Sequence, residues 1–263
     1  MRKIKRWRWN RLVTNPVLVV SNLSKIYKGT GYEVQALKNV SFKLYEGEMI
    51  VIMGTSGSGK STLLNVLAAL DIPDQGEIQL YGQSQKEIYK EPNATFYRRD
   101  NIGFIFQSFH LLKDLTVEEN IALPLVLKGD KKTHIDEKVK EMLQFIGLTN
   151  WKSHRPVQLS GGQQQRVAIG RALITAPPIV LADELTGNLD YNTSKEILQV
   201  LVNMKETLKQ SIVVVTHDPH VAAYADRVLF FHDGQIVNEY KSAGDQKIDD
   251  ILEKFGKLLE TRV

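Results

Sequence analysis

The stretch "MIVIMGTSGSGKSTLLNVLAAL" runs from residue 49 to residue 70, and its three parts decide the fold. "MIVIM" is an unbroken apolar run, the composition of a strand covered on both faces, as strands of parallel sheets are. "GTSGSGKS" (54–61) fits the pattern G-x-x-x-x-G-K-[ST]. "STLLNVLAAL" continues as a helix. Strand, loop and helix in that order form a phosphate cradle. Glycines let the backbone come close, and the N–H groups of Gly54, Thr55, Ser56, Gly57, Ser58 and Gly59 join a helix N-terminus in presenting positive potential. Lys60 is predicted to reach the β- and γ-phosphates and Ser61 to ligate Mg²⁺, with Thr62 next to them on the helix.

Outward from this stretch the pattern is β and α in alternation. "VLVV" (17–20) reads as a strand. "VSFKLYEG" (40–47) sets Val40, Phe42 and Leu44 against Ser41, Lys43 and Tyr45, the period of a half-buried strand. "GEIQLYG" (76–82), "NIGFIFQ" (101–107), "PPIVLADE" (177–184) and "SIVVVTHD" (211–218) are further strands. "RVLFFHDGQIVNEY" (227–240) is a hairpin turning at Asp233-Gly234. From about 108 to 172 the pattern is helical, with Val139, Met142, Leu143 and Ile146 at helical spacing. "SKEILQVLVNMKETL" (194–208) is an amphipathic helix. So is "KIDDILEKFGKLLE" (247–260), with Ile248, Ile251, Leu252, Phe255, Leu258 and Leu259 on one face, interrupted by Gly256. Buried strands alternating with helices predict an α/β fold with a parallel sheet, plus an antiparallel β patch near the N-terminus.

The chain has 263 residues, 43% hydrophobic and 24% charged, enough for one large domain or two small ones with a real core. It has no Cys, which excludes disulfides and thiolate metal sites and fits a reducing cytoplasm. Its six His residues show no ligand spacing, so no structural metal is expected. No apolar run approaches the ~18 residues that span a bilayer. Of the formal charge of +4, six positive charges come from Arg2, Lys3, Lys5, Arg6, Arg8 and Arg11, leaving −2 on the remainder. The basic character belongs to the tail, so no nucleic-acid surface is expected.

Two acids end the "IVLADE" strand. Ligands of open α/β sheets sit at the carboxyl ends of strands. Asp183 is thus placed to hold Mg²⁺, directly or through water, and Glu184 to orient or deprotonate an attacking water. His217, at the end of its strand, reads either as a γ-phosphate or water contact or as a structural hydrogen-bonder. Gln107 reads either as a Mg²⁺ or water contact or as a loop cap. "LSGGQQQRV" (159–167) raises a different question. Ser160, Gly161, Gly162 and Gln163 form a second anion-favouring helix start, with no lysine.

Together these residues resemble the ATP-binding cassette (ABC) ATPase family. "GTSGSGKS" resembles its Walker A loop, "IFQ" (105–107) its Q-loop and "LSGGQ" its signature. "IVLADE" resembles Walker B, "GNLD" (187–190) the D-loop and "THD" (216–218) the H-loop, all in the family's order. The resemblance implies a P-loop NTPase (RecA-like) core spanning residues 17–240, with an inserted helical subdomain at about 108–171. A basic tail (1–16) and a C-terminal amphipathic helix extension (241–263) flank it. It further implies an ATP-binding, ATP-hydrolysing homodimer. Each ATP would lie between the Walker A loop of one copy and Ser160, Gly161, Gly162, Gln163 and Asp190 of the other. Tyr27 matches the aromatic that stacks on adenine, although a Tyr near a strand is as readily a core residue. The segment 107–127 would receive a membrane permease subunit, placing the protein at the cytoplasmic face of the cell membrane.

"GYEVQALKNVSF" (31–42), "LLKDLTVEENIALPL" (111–125) and "DELTGNLD" (183–190) are similar to the lipoprotein-release, macrolide-export and cell-division branch (type VII, mechanotransmission). That implies export, or handling of lipoproteins, antimicrobial peptides or antibiotics. The alternative is a soluble ABC ATPase acting on DNA or ribosomes. The first of those inserts long modules between Walker A and signature, and the second carries two cassettes; here only 99 residues lie between Lys60 and Ser160. Leu185 stands where the family has Pro, so a slightly softer loop is expected there. In the tail, Trp7 and Trp9 interleave with cations, so residues 2–11 are a candidate contact for anionic lipid, with a solvated tail as the other reading. The C-terminal helix is expected to pack on its own domain or on a dimer mate.

Overall fold

The computed structural model describes residues 16–241 and 247–260. The lipid-contact reading of residues 2–11 lies outside them. Strand β1 (Pro16–Gly29) and strand β2 (Tyr32–Tyr45) form a long antiparallel hairpin. β3 (Met49–Met53) leads through the glycine loop into α1 (Lys60–Leu67). β4 (Gln75–Leu80) and the short β5 (Gln83–Ser84) follow, then α2 (Asn93–Asn101) and β6 (Ile102–Ile105). A helical block comprises α3 (Val117–Lys128), α4 (Lys132–Phe145) and α5 (Gly161–Leu173). The chain then alternates through β7 (Ile179–Asp183), α6 (Tyr191–Leu208), β8 (Ser211–Thr216) and α7 (Pro219–Ala222). It closes with β9 (Arg227–His232), β10 (Gln235–Lys241) and α8 (Lys247–Glu260).

Two sheets result. β2-β1-β4-β5 is antiparallel throughout. β10-β9-β3-β8-β7-β6 is parallel except for its edge hairpin β9–β10. β3 sits inside the larger sheet, with Val51 paired to both Val214 and Val228. That position explains its unbroken apolar run. Ile50 and Ile52 face a core shared with the small sheet and with Leu63 and Leu64 of α1. Met49, Val51 and Met53 face the opposite core, with Ile197, Leu201 and Met204 of α6. Each aliphatic side chain fully buried this way contributes about 1.5–3 kcal/mol over leaving it in water. A third core, with Val117, Ile121, Val139, Leu143, Ile146 and Val167, belongs to α3, α4 and α5.

Helix starts follow local chemistry. Thr116 caps α3, and Glu119 returns the bond to the Thr116 backbone, a reciprocal capping box. Buried Asn120 ties down the preceding loop through the Leu112 N–H and the carbonyls of Leu112, Leu115 and Thr116. The predicted helical stretch therefore begins with a pinned loop, and helix starts only at Val117. Other departures from the sequence reading are α2 and α7, which it did not anticipate, and β1, which opens at Pro16 and runs well past residue 20. The apolar face of α8 is covered unevenly. Ile251 is fully buried and Phe255 half-buried, whereas Leu252 is exposed.

Candidate functional site

The glycine loop is shaped by what its backbone must pass. A Cβ on Gly54 would lie 2.1 Å from the Phe231 carbonyl oxygen, and one on Gly59, at φ 104°, 2.2 Å from that of Ala36. No side chain fits at either position without moving main chain. The β9–β10 turn braces the loop from outside, with Gly234 N donating to Ser58 O at 2.9 Å. Lys60 is 6% exposed, and its Nζ donates to Gly54 O at 2.9 Å and Thr55 O at 2.8 Å. Burial lowers its pKa, while Glu184 and Asp183 pull it back up.

The two acids stand opposite. Asp183 ends β7, and burial raises its pKa against a bond from Ser61. Ser61 Oγ donates to Asp183 Oδ1 at 3.2 Å. Glu184 turns at φ 44°, left-handed for a non-glycine residue, and its N–H donates to Val215 O at 3.0 Å. That turn places its carboxylate 2.8 Å from Nδ1 of His217, at the end of the neighbouring strand β8. Gly187 N donates to Glu184 O at 2.8 Å. Leu185 is buried in the core beside α6, so the loop expected to be softer is anchored by its side chain. The Asn188 side-chain amide donates to Gln107 O at 3.0 Å, and the Gln107 side-chain amide lies against Gly187. Five sequence-predicted residues thus converge by contact or charge: Lys60, Ser61, Asp183, Glu184 and His217. Gln107 reaches the same turn from β6. A cavity of about 620 Å³ adjoins Glu184, walled also by Gly187, Tyr191, His217 and Tyr224, with Ile248 of α8 at its border.

The loop fits a bound polyphosphate. Thr55 Oγ1 and Ser58 Oγ are buried and have no hydrogen-bond partner among the described residues. Buried hydroxyls without partners are rare and call for an acceptor or donor. Ser61 and Asp183 offer the hard oxygen atoms that suit Mg²⁺.

The second helix start is built differently. Ser160 Oγ accepts from Gln163 N at 3.3 Å, while Gln163 Oε1 accepts from Ser160 N at 2.9 Å. The Ser160 hydroxyl thus caps its own helix. A Cβ on Gly162 would strike Thr193 Cγ2 at 2.3 Å, and one on Gly161 would meet Leu189 at 3.2 Å. Asp190 caps α6 by accepting from Thr193 N at 3.1 Å. The starts of α5 and α6 therefore pack together; Leu189 falls inside the GNLD motif, whereas Thr193 was not picked out in the sequence. Tyr27 lies inside β1 with its ring partly exposed, so the core reading fails, and its hydroxyl donates to Asp71.

A family profile described as "ABC transporter" matches residues 37–187. The chain belongs to the ABC transporter ATPase family. The ABC transporter ATP-binding protein YxdL of Bacillus subtilis is 40% identical over 91% of this chain and 95% of its own length. The lipoprotein-releasing system ATP-binding protein LolD of Psychrobacter arcticus is 41% identical over 84% of this chain and 98% of its own. The macrolide export ATP-binding/permease protein MacB of Wolinella succinogenes is 41% identical over 85% of this chain, which spans only 34% of MacB. Among solved structures, the dimeric post-hydrolysis state of the cassette MJ0796, bound to ADP and Pi, superimposes with a TM-score of 0.79 at 41% identity. It covers 87% of this chain and 100% of its own; MJ0796 is from Methanocaldococcus jannaschii. The protein is an ATP-binding ATPase of the transporter type, with the expected α/β P-loop NTPase fold, and the DNA- or ribosome-acting alternative is not favoured. Among the described residues, no helix is long and apolar enough to cross a membrane.

Proposed function

We propose that two copies of this chain close on two ATP molecules and drive a membrane permease that exports, or extracts from the membrane, a lipoprotein, antimicrobial peptide or antibiotic. The observation that carries the chemistry is the Glu184–His217 contact facing buried Lys60. Lys60, fixed by two loop carbonyls, offers its ammonium to the β- and γ-phosphates. The orphaned hydroxyls of Thr55 and Ser58 bind phosphate oxygens, with Ser56 and Gly57 on the same loop. Glu184 takes the proton of the attacking water, and His217 holds that carboxylate in place. Ser61 and Asp183, with Gln107, are the residues that would hold Mg²⁺, which when bound neutralises charge building on the phosphates.

The dimer reading is supported by the second anion-favouring helix start, at Ser160, which has no lysine of its own and where Gly161 packs on Leu189 and Gly162 on Thr193. Ser160, Gly161, Gly162, Gln163 and Asp190 would complete the site of the other copy. The permease would dock near 107–127, which puts the ATPase at the cytoplasmic face of the membrane. Residues 2–11 would add contact to anionic lipid, at about 1 kcal/mol per basic residue. Deleting them should weaken binding to anionic vesicles; unchanged binding and unchanged ATPase in the permease complex reject that contact.

Glu184→Gln tests the central assignment. It should keep ATP affinity, slow phosphate release roughly 10²–10⁴-fold and accumulate an ATP-bound dimer on a sizing column. Hydrolysis at the parent rate would remove Glu184 as the base.

A further inference from the structure

Tyr27, read above as the adenine platform, is held by a cluster that no sequence motif marks. Its hydroxyl donates to Asp71 Oδ2. Lys25 Nζ donates to the other oxygen, Asp71 Oδ1, at 2.8 Å and to Ile72 O at 2.7 Å. The same ammonium stands 5.1 Å from the Tyr27 ring centroid, over one face. Asp71 also accepts from Ile72 N at 2.7 Å, so its carboxylate makes bonds on both oxygens. Bonds from Lys25 and Tyr27 hold its pKa below the usual carboxylate value even though burial pushes the other way.

The tie runs back to the phosphate loop. Leu70 N and Asp71 N both donate to Asn65 O, which fixes Asp71 to the last turn of α1. The same helix begins at Lys60. One rigid element thus carries the phosphate contacts at its start and, just past its end, the carboxylate that sets the tyrosine ring. Lys25 covers one ring face, and the side chain is partly exposed.

We propose that Asp71, with Lys25, is a positioning group for nucleotide binding: it locks the Tyr27 ring in register with the phosphate loop and selects nucleotides whose base stacks on the face away from Lys25. This rests on Tyr27 being the base platform. Pre-organising a ring spares the nucleotide the loss of that side chain's freedom on binding.

The test compares Tyr27→Phe, Asp71→Ala, their double variant and Tyr27→Ala in the full chain, by calorimetric titration with a non-hydrolysable ATP analogue and, separately, with inorganic tripolyphosphate. Tyr27→Phe and Asp71→Ala should each weaken the ATP analogue roughly 3–10-fold, the loss of one hydrogen bond. The double variant should be no weaker than the worse single variant. Tyr27→Ala should lose roughly 10-fold or more, the range of base stacking on an aromatic ring. Tripolyphosphate affinity should not move, and in steady state the loss should fall on KM, with kcat kept. If Tyr27→Ala leaves ATP affinity unchanged, the platform reading itself falls, and the positioning role with it. If Tyr27→Ala weakens binding but Tyr27→Phe and Asp71→Ala do not, the platform stands and the positioning role is overturned. Equal losses for tripolyphosphate, or additive losses in the double variant, also overturn it, because they report damage to α1 and not to ring placement.

Discussion

Burial raises the pKa of Asp183, so the charge this carboxylate must carry to bind a cation is opposed by the fold that positions it. A carboxyl with a folded pKa above its unfolded value makes the native state bind protons more tightly. Stability from this group therefore falls as pH rises through the acid range, and the penalty is complete above the folded pKa. Asp183→Asn should raise the nucleotide-free melting temperature at pH 7 and raise it less at pH 4, while removing Mg²⁺-dependent turnover. A melting temperature unchanged at both pH values would show that the charge is not opposed. Gln165, in α5, holds a second residue-scale tension. It is fully buried, and both its amide atoms lack hydrogen-bond partners among the described residues. An unmade bond of this kind costs about 1–3 kcal/mol, so Gln165→Met, similar in size, should raise the denaturation midpoint of the free chain.

The elements differ in how plainly the sequence announces them. β3, β7 and β8 are covered on both faces, and four or five apolar residues in a row announce such strands. The candidate site residues Asp183 and His217 were legible for the same reason, because they close such runs. α2 was not legible. "NATFYRRDN" buries only Ala94 and Tyr97, too few to set a period. α7 is a single turn after Pro219 and carries no pattern at all. The Tyr27–Asp71 bond joins a strand residue to one in the loop after α1, 44 residues away, and no local signal encodes such a pairing. α8 shows both sides of this. Its periodicity predicted a helix, but only the fold selects which apolar residues are covered. Ile251 is, against the core that includes Val221 and Ala222 of α7, and Lys247 donates to Ala225 O. The tail helix thus packs on its own domain. Ile251→Ala should cost about 2–5 kcal/mol in urea unfolding if that contact is as tight as its burial implies. A cost near zero would place α8 loosely on the domain.

At the scale of the whole molecule, the chain has one complete phosphate loop and one helix start that lacks a lysine. A Ser160→Arg chain and a Lys60→Ala chain, each inactive alone, should regain ATP hydrolysis when mixed, because one mixed site then has both Lys60 and Ser160 intact. Failure of the mixture to exceed either chain alone would count against sites shared between copies. In such a dimer the contact between the starts of α5 and α6 gains a meaning. Gly162 rests on Thr193, and Gly161 on Leu189 of the loop that leaves Glu184. A copy cannot loosen the loop around its own spent nucleotide without disturbing the surface it lends to its neighbour. The two halves of the engine share a single gearbox: product release on one side is felt on the other, and turnover should depend on ATP concentration with a Hill coefficient above one.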